Sequence, residues 1–365
     1  MMTTGLKQKQ LSRIVVKGFK SIADGDLVLE SLNILIGCNG AGKSNFIQFF
    51  QLVQQMIEGN LQRFVSREGG PDVLLHFGRK TTPHLEIKLY FGDQGYLATF
   101  EPTKNNRLMF AKESFWSRDL GEREIANGHL ETQIQQDTQT SLDHSILPAM
   151  QQWRVYHFHD TSETAYIKQL HNINDTLYLR PDASNLAAFL YFLQKQYNTY
   201  YQRIVKTIRL VAPFFGDFIL RPSMANSDKI ELQWREKGKD EPFKAHYFSD
   251  GTLRFICLAT VFLQPSELQP ETILVDEPEL GLHPYAITLL AGLIKSVAKH
   301  KQVILSTQSV ELINQFSAQD VIVVDRQDHQ SVFQRLNAAK LTEWLEDYTL
   351  GELWIKNILG GKPAQ

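Results

Sequence analysis

The stretch Leu32-Asn33-Ile34-Leu35-Ile36-Gly37-Cys38-Asn39-Gly40-Ala41-Gly42-Lys43-Ser44-Asn45 constrains this chain more than any other. A short apolar run enters a glycine-rich loop, and an amphipathic helical pattern leaves it. Gly37, four residues, then Gly42-Lys43-Ser44 is the spacing of a P-loop for nucleoside triphosphates. Glycines let backbone N–H groups turn toward a phosphate with no Cβ in the way. A helix opening at Lys43 adds unpaired amides and the positive end of its dipole. Asn39, Gly40, Ala41, Gly42, Lys43, Ser44 and Asn45 are therefore the candidate ATP contacts. Lys43 is placed to reach the β and γ phosphates, and the Ser44 hydroxyl to ligate Mg²⁺.

The pattern around this loop is α/β. Phe46, Ile47, Phe49, Phe50, Val53, Met56 and Ile57 form a wide apolar helix face, and further on Gly69-Gly70-Pro71 breaks the chain. Runs at 85–91, 96–100 and 107–110 alternate with period two, with a hairpin at 92–95, and read as an antiparallel meander. Residues 1–10 read as a polar tail, and the polar stretch 114–148 as a long loop. Residues 153–158 return to strand character. Residues 184–215 are helical and aromatic-rich, and read as core rather than as a base-stacking platform. From 255 onward helices and strands alternate, the pattern of a mostly parallel sheet, and 341–359 reads as two short helices.

The net charge of −2 supplies no global attraction to nucleic acid or membranes. Arg79-Lys80 and Arg13, Lys17 and Lys20 are scattered charges, for which a solvated face is the default. Two cysteines, Cys38 and Cys257, suggest a reducing compartment. The polar start and the lack of a membrane-length apolar run lead to the expectation of a cytoplasmic protein.

Two further motifs complete a candidate site. Residues 273–278 form an apolar strand ending in Asp276-Glu277-Pro278. Ligands of open α/β sheets sit at the carboxyl ends of strands, so Asp276 is placed to hold Mg²⁺ and Glu277 to polarise an attacking water. Ser249-Asp250-Gly251 opens a helix, with Ser249 near the N-cap and Gly251 allowing close backbone approach, a second anion-binding geometry. His157 and His159 alternate beside Asp160, but no third and fourth ligands stand at suitable spacing, so no structural metal is expected there.

Taken together, Phe19-Lys20-Ser21, the P-loop, Ser249-Asp250-Gly251, Asp276-Glu277, the segment 279–284 and Ser306-Thr307-Gln308-Ser309 resemble the ABC-type ATPases of the SMC/RecF/OLD-like group, in the small single-chain AAA form of bacterial defence modules. The matching pieces run from about residue 12 to about 325. The resemblance implies a two-lobed ATPase. Its first lobe would comprise 11–158 and 256–359, and a helical lobe 159–255 would end near the signature-like Ser249. It also implies Mg²⁺-dependent ATP hydrolysis by a head-to-tail homodimer. Ser249 and Gly251 of one subunit would then act on ATP held by Lys43 of the other, with Glu277 and Gln308 as catalytic groups. Gln308 stands where the family usually has histidine; it can hydrogen-bond a γ phosphate or water but cannot take a proton at neutral pH. By position, His159 or Asp160 would be the Q-loop equivalent. No long coiled coil and no appended nuclease segment are expected. The implied use is antiviral defence, acting on a separately encoded effector such as a nuclease. DNA repair or chromosome maintenance with DNA as partner is the alternative, and a slowly hydrolysing ATP-gated scaffold is a third.

Overall fold

A computed structural model describes residues 10–135 and 143–361. The expected polar tail lies almost wholly outside the described residues, as does part of the expected loop at 114–148. The chain divides into two compact units, 1–155 with 271–274 and 299–365, and 156–270 with 275–298.

The first unit opens with β1 (Arg13–Phe19) and β2 (Ile22–Val28), antiparallel about Lys20, whose φ is 47°. β3 (Leu32–Ile36) follows, buried at every residue. It leads through the glycine loop into α1 (Lys43–Ile57). α2 (Leu61–Arg67) is next, and then the meander β4 (Leu85–Phe91), β5 (Gln94–Pro102), β6 (Leu108–Ser117) and β7 (Gly121–Ala126). One antiparallel sheet has the order β2-β1-β4-β5-β6-β7. α3 (Asp143–Gln151) and β8 (Trp153–Tyr156) close this part.

α1 lies at the centre of the unit's core. Phe46, Phe49 and Phe50 contact rings from three directions: Phe333 at 5.3 Å, Phe19 at 6.0 Å and Trp153 at 5.0 Å. Burial of each such side chain contributes about 1.5–3 kcal/mol, so the helix that opens at Lys43 is held far more firmly than its own propensity could manage.

The stretch 114–148 is more structured than its polarity suggests. β6 runs on to Ser117 and β7 pairs with it. The return segment is held by carboxylates as well as by apolar contacts, Ile134 being buried in the core and His129 stacked on Phe110 at 4.6 Å. The fully buried Glu113 accepts hydrogen bonds from Tyr96 Oη at 2.7 Å, His129 Nε2 at 2.9 Å, Gln133 N at 2.9 Å and the Thr132 hydroxyl. Glu131 accepts from the Leu61 and Gln62 amides, both at 2.9 Å, and so caps α2 from seventy residues away. Period and polarity cannot reveal such pairings.

In the second unit a short bridge joins β9 (His171–Asn172) to β11 (Lys229–Ile230), and β10 (Phe215–Ile219), β12 (Gln233–Glu236) and β13 (Phe243–Lys244) form a three-stranded antiparallel sheet. The aromatic-rich stretch is two helices, α4 (Leu186–Gln196) and α5 (Asn198–Val211), broken at Tyr197 with φ −133° and ψ 48°. Their stripe is core, as expected, although Leu210 is 52% exposed. α6 (Asp250–Leu263) follows. Phe248, just before it, stacks on Trp234 at 4.4 Å and 17°, which fixes the point at which the helix begins.

β14 (Thr272–Asp276) starts in the first unit, and its last two residues belong to the second, as does α7 (Pro284–Val297). β15 (Gln302–Thr307), β16 (Val321–Gln327) and β17 (Gln330–Arg335) return to the first. The second sheet has the order β17-β16-β3-β15-β14-β8, with β3 parallel to both β15 and β16. Val310–Ile313 forms a single turn rather than a helix over 310–316. The chain ends in α8 (Thr342–Asp347) and α9 (Leu350–Ile355). Among the described residues no helix is long and apolar enough to cross a membrane.

Candidate functional site

In the first unit the site is built at the end of β3. This strand is buried on both faces between β15 and β16, which is why its sequence is a continuous apolar run. In the register Ile36 faces Thr307, so the glycine loop and the segment beginning at Gln308 leave the sheet side by side. Gln308 is half-buried, and Ser309 caps the next turn by accepting from the Leu312 amide at 3.1 Å.

Gly42 caps α1 in left-handed backbone, with φ 117°. A Cβ there would overlap the Ser331 hydroxyl. That hydroxyl donates to the Ala41 carbonyl at 2.6 Å. It lies 2.7 Å from Ser21 Oγ, which in turn accepts from Asn45 Nδ2 at 2.7 Å. One consistent donor order runs through the chain: Asn45 to Ser21, Ser21 to Ser331, Ser331 to the loop. Ser331, fully buried on β17, is a residue that no motif announces; it lies in a hairpin after the last parallel strand, and only the sheet brings it to the loop.

Lys43 is 6% exposed, and its Nζ donates to the carbonyls of Gly37 at 2.7 Å and Cys38 at 3.1 Å. Ser44 is exposed and Asn45 half-buried. Cys38 N donates to the Gly361 carbonyl at 2.8 Å, so the far end of the described chain braces the loop. An open cleft of about 710 Å³ includes Ser21 and Asn45 in its lining, together with Lys20, Phe77, Arg79 and Arg326. Arg326 also approaches the Gly40 carbonyl at 3.4 Å. Asp72 also lines the cleft, paired with Arg79 at 2.8 Å, but Lys20, Lys80 and Arg326 leave the lining cationic, the sign a polyphosphate needs.

The second unit carries the other motifs. Glu277 follows β14 in left-handed backbone, with φ 45°, a conformation that costs a residue with a Cβ about 1–2 kcal/mol. Glu277 and Asp276 are both half-buried. His159 Nε2 lies 3.0 Å from the Asp276 carbonyl oxygen. Asp160 instead accepts from Ser162 N at 3.1 Å and Ser162 Oγ at 2.7 Å, bonds that hold its carboxyl below the usual range. Of the two Q-loop candidates, the structure brings His159 to Asp276 and turns Asp160 into a loop of its own. Burial holds the His157 imidazole below its ordinary pKa against the opposing pull of Asp276, so it is neutral at pH 7.

Ser249 is exposed and caps α6, accepting from the Thr252 amide at 3.3 Å. A Cβ at Gly251 would overlap the Gly281 carbonyl, so the two segments touch through bare backbone. Arg254, one turn further on, holds three carbonyls at once: Phe158 through Nε at 3.0 Å, His159 through Nη2 at 3.0 Å and Leu280 through Nη1 at 3.1 Å. It ties the helix behind Ser249 to the segment carrying His159 and to the turn after Glu277. Its position in the sequence gives no sign of this, since an arginine on a helix is by default a solvated charge.

The residues of each unit fit the groups that the motifs imply. Ser44 offers an exposed hydroxyl and Asp276 a half-buried carboxylate, hard oxygen donors suited to Mg²⁺. The glycine loop offers a backbone cradle with a lysine folded over it.

Comparisons with known proteins agree with this architecture. A solved Smc head bound to the C-winged helix domain of ScpA is 20% identical, with a TM-score of 0.59, covering 90% of this chain and 99% of that one. An Smc head with an extended coiled coil, bound to the C-terminal domain of ScpA derived from Pyrococcus furiosus, is 16% identical, with a TM-score of 0.54, covering 92% and 98%. At these identities the likeness speaks to the fold, which is that of the ABC-type SMC head. A search of curated proteins gives no match. Residues 32–314, from the strand before the P-loop to the turn after Gln308, match the family described as "AAA domain, putative AbiEii toxin, Type IV TA system", and the chain belongs to that family of P-loop AAA proteins.

Proposed function

We propose that this protein binds and hydrolyses ATP with Mg²⁺, closes head to tail with a second copy around the nucleotide, and passes that closure to a separately encoded effector in bacterial antiphage defence. The observation that carries the reading is the glycine loop with Lys43 Nζ held on its own carbonyls. That ammonium is desolvated and aimed at the loop, and phosphate oxygens would exchange for the Gly37 and Cys38 carbonyls at little cost. Asn39, Gly40, Ala41 and Gly42 would supply amides, and Asn45 a polar side chain. The basic cleft would take the nucleoside side of the ligand.

Ser44 and Asp276 would hold Mg²⁺, which when bound neutralises charge on the β and γ oxygens. Glu277 would act as general base, its left-handed backbone aiming the carboxylate. Gln308 would orient water by hydrogen bonding and leave the proton to Glu277. The exposed N-terminus of α6 with Ser249 is suited to a phosphate from outside, which supports a second subunit as the source. The type IV toxin–antitoxin description of the family supports the defence role, and the ScpA-bound heads support a partner encoded apart.

The test is a set of three variants. Lys43→Ala should lose nucleotide binding, and Glu277→Gln should bind normally but turn over at least about 100-fold more slowly. Ser249→Arg should bind ATP as a monomer yet fail to dimerise with it. Near-normal turnover by Glu277→Gln would refute the hydrolytic reading. Loss of ATP binding by folded monomeric Ser249→Arg protein would refute the head-to-tail one.

A further inference from the structure

Three chemically matched side chains meet within the second unit. His157, His159 and Asp276 each present one ligand atom within 4.8 Å of the others. The two imidazoles are 6.2 Å apart between ring centres. Asp276 arrives from a position 117 residues further along the chain, and supplies the third ligand that spacing alone does not offer.

The arrangement is held from outside. The His157 amide donates to the Pro181 carbonyl at 3.0 Å. Arg254 grips the carbonyls of Phe158 and His159, each at 3.0 Å. His159 Nε2, 3.0 Å from the Asp276 carbonyl, must carry the proton of that bond, which leaves the lone pair on Nδ1. An imidazole oriented by a second hydrogen bond is the usual form of a metal-ligating histidine. Ligands sharing a cation at about 2.1 Å lie no more than about 4.2 Å apart, so small side-chain rotations close the set.

We propose that His157, His159 and Asp276 form a divalent transition-metal site, taking Co²⁺, Zn²⁺ or Mn²⁺ in preference to Mg²⁺. Two imidazoles and one carboxylate suit these cations, whereas Mg²⁺ wants oxygen. Three protein ligands leave a fourth position for water. None of the three residues belongs to the P-loop, so the site can be tested without nucleotide. Asp276 is the one residue common to this site and to the proposed Mg²⁺ ligands, so the two cations compete for it.

The test uses the full chain, stripped of metal by a chelator and free of nucleotide, titrated with CoCl₂ in excess MgCl₂. Visible absorption reports the ligand field and calorimetry the stoichiometry. One equivalent should bind and give a d–d band, and Lys43→Ala should behave as the parent does. His159→Gln and Asp276→Asn should each weaken binding by at least roughly tenfold. His159 is exposed, so its variant should fold, and circular dichroism checks this. Absence of the band overturns the proposal, as does displacement of Co²⁺ by Mg²⁺ or a band unchanged in folded His159→Gln protein. Loss of ATP binding by Lys43→Ala, with Co²⁺ binding kept, separates this site from the nucleotide site.

Discussion

In the phosphate loop of the first unit, left-handed backbone is carried by glycine: Gly40 and Gly42 have φ of 79° and 117°. In the Asp276-Glu277 turn of the second unit the same region of backbone space is occupied by Glu277, at φ 45°. The loop's shape is therefore native to its own residues, and nearby side chains only trim it. The turn's shape is imposed from elsewhere: the Asp276 carbonyl meets His159, and Arg254 holds His159 and Leu280 on either side. A binding cradle can be specified locally, whereas a strained carboxylate depends on distant ties that can also be loosened.

The largest expected effect tests the local half of this comparison. Gly42→Ala places a Cβ against the Ser331 hydroxyl in backbone that disfavours it, and should weaken nucleotide binding by about 100-fold or more, roughly 3 kcal/mol. Adding Ser331→Gly removes the closest overlap, leaving Ser21 Oγ at 2.8 Å, and should recover part of the loss. Parent-like affinity in Gly42→Ala, measured with a fluorescent nucleotide, would show that the loop is not set by its glycines.

Arg254→Ala tests the imposed half. Three carbonyls lose charge-assisted donors in a partly exposed site, and the expected destabilisation is about 2–3 kcal/mol in urea unfolding. Hydrogen exchange should rise at 158–160 and 280–282 while the phosphate loop stays protected. Arg254→Lys should not rescue, because one ammonium cannot span three acceptors as a guanidinium fork does. Equal loosening of both regions would erase the distinction drawn here.

The smallest effect has the opposite sign. Glu277→Gly removes the left-handed penalty and should raise stability by about 1 kcal/mol at the cost of turnover. A destabilised Glu277→Gly protein would mean that the carboxylate's own contacts outweigh the strain.

These differences match what could be read in advance. The P-loop, α1 and the alternation of the last third were legible because each rests on a local rule: glycine spacing, a 3.6-residue apolar period, or a buried parallel strand. The register that sets Thr307 beside Ile36 accords with that alternation. The described part of 114–148 is not legible in this way, because Glu113 and Glu131, carboxylates satisfied across the chain, help to order it, and polarity alone suggests solvent.

The sequence by itself determined an α/β P-loop protein with a glycine cradle at Gly37–Ser44, since those residues leave the backbone few other choices. Tertiary structure alone decided which distant groups serve that cradle and its counterpart. Ser331 reaches the loop through a strand pairing, Arg254 gathers three carbonyls from two segments, and Asp276 completes a triad with His157 and His159. The reason is geometric. A side chain's partner across a hundred residues depends on sheet order and helix position, and these are set by burial of apolar surface summed over the whole unit.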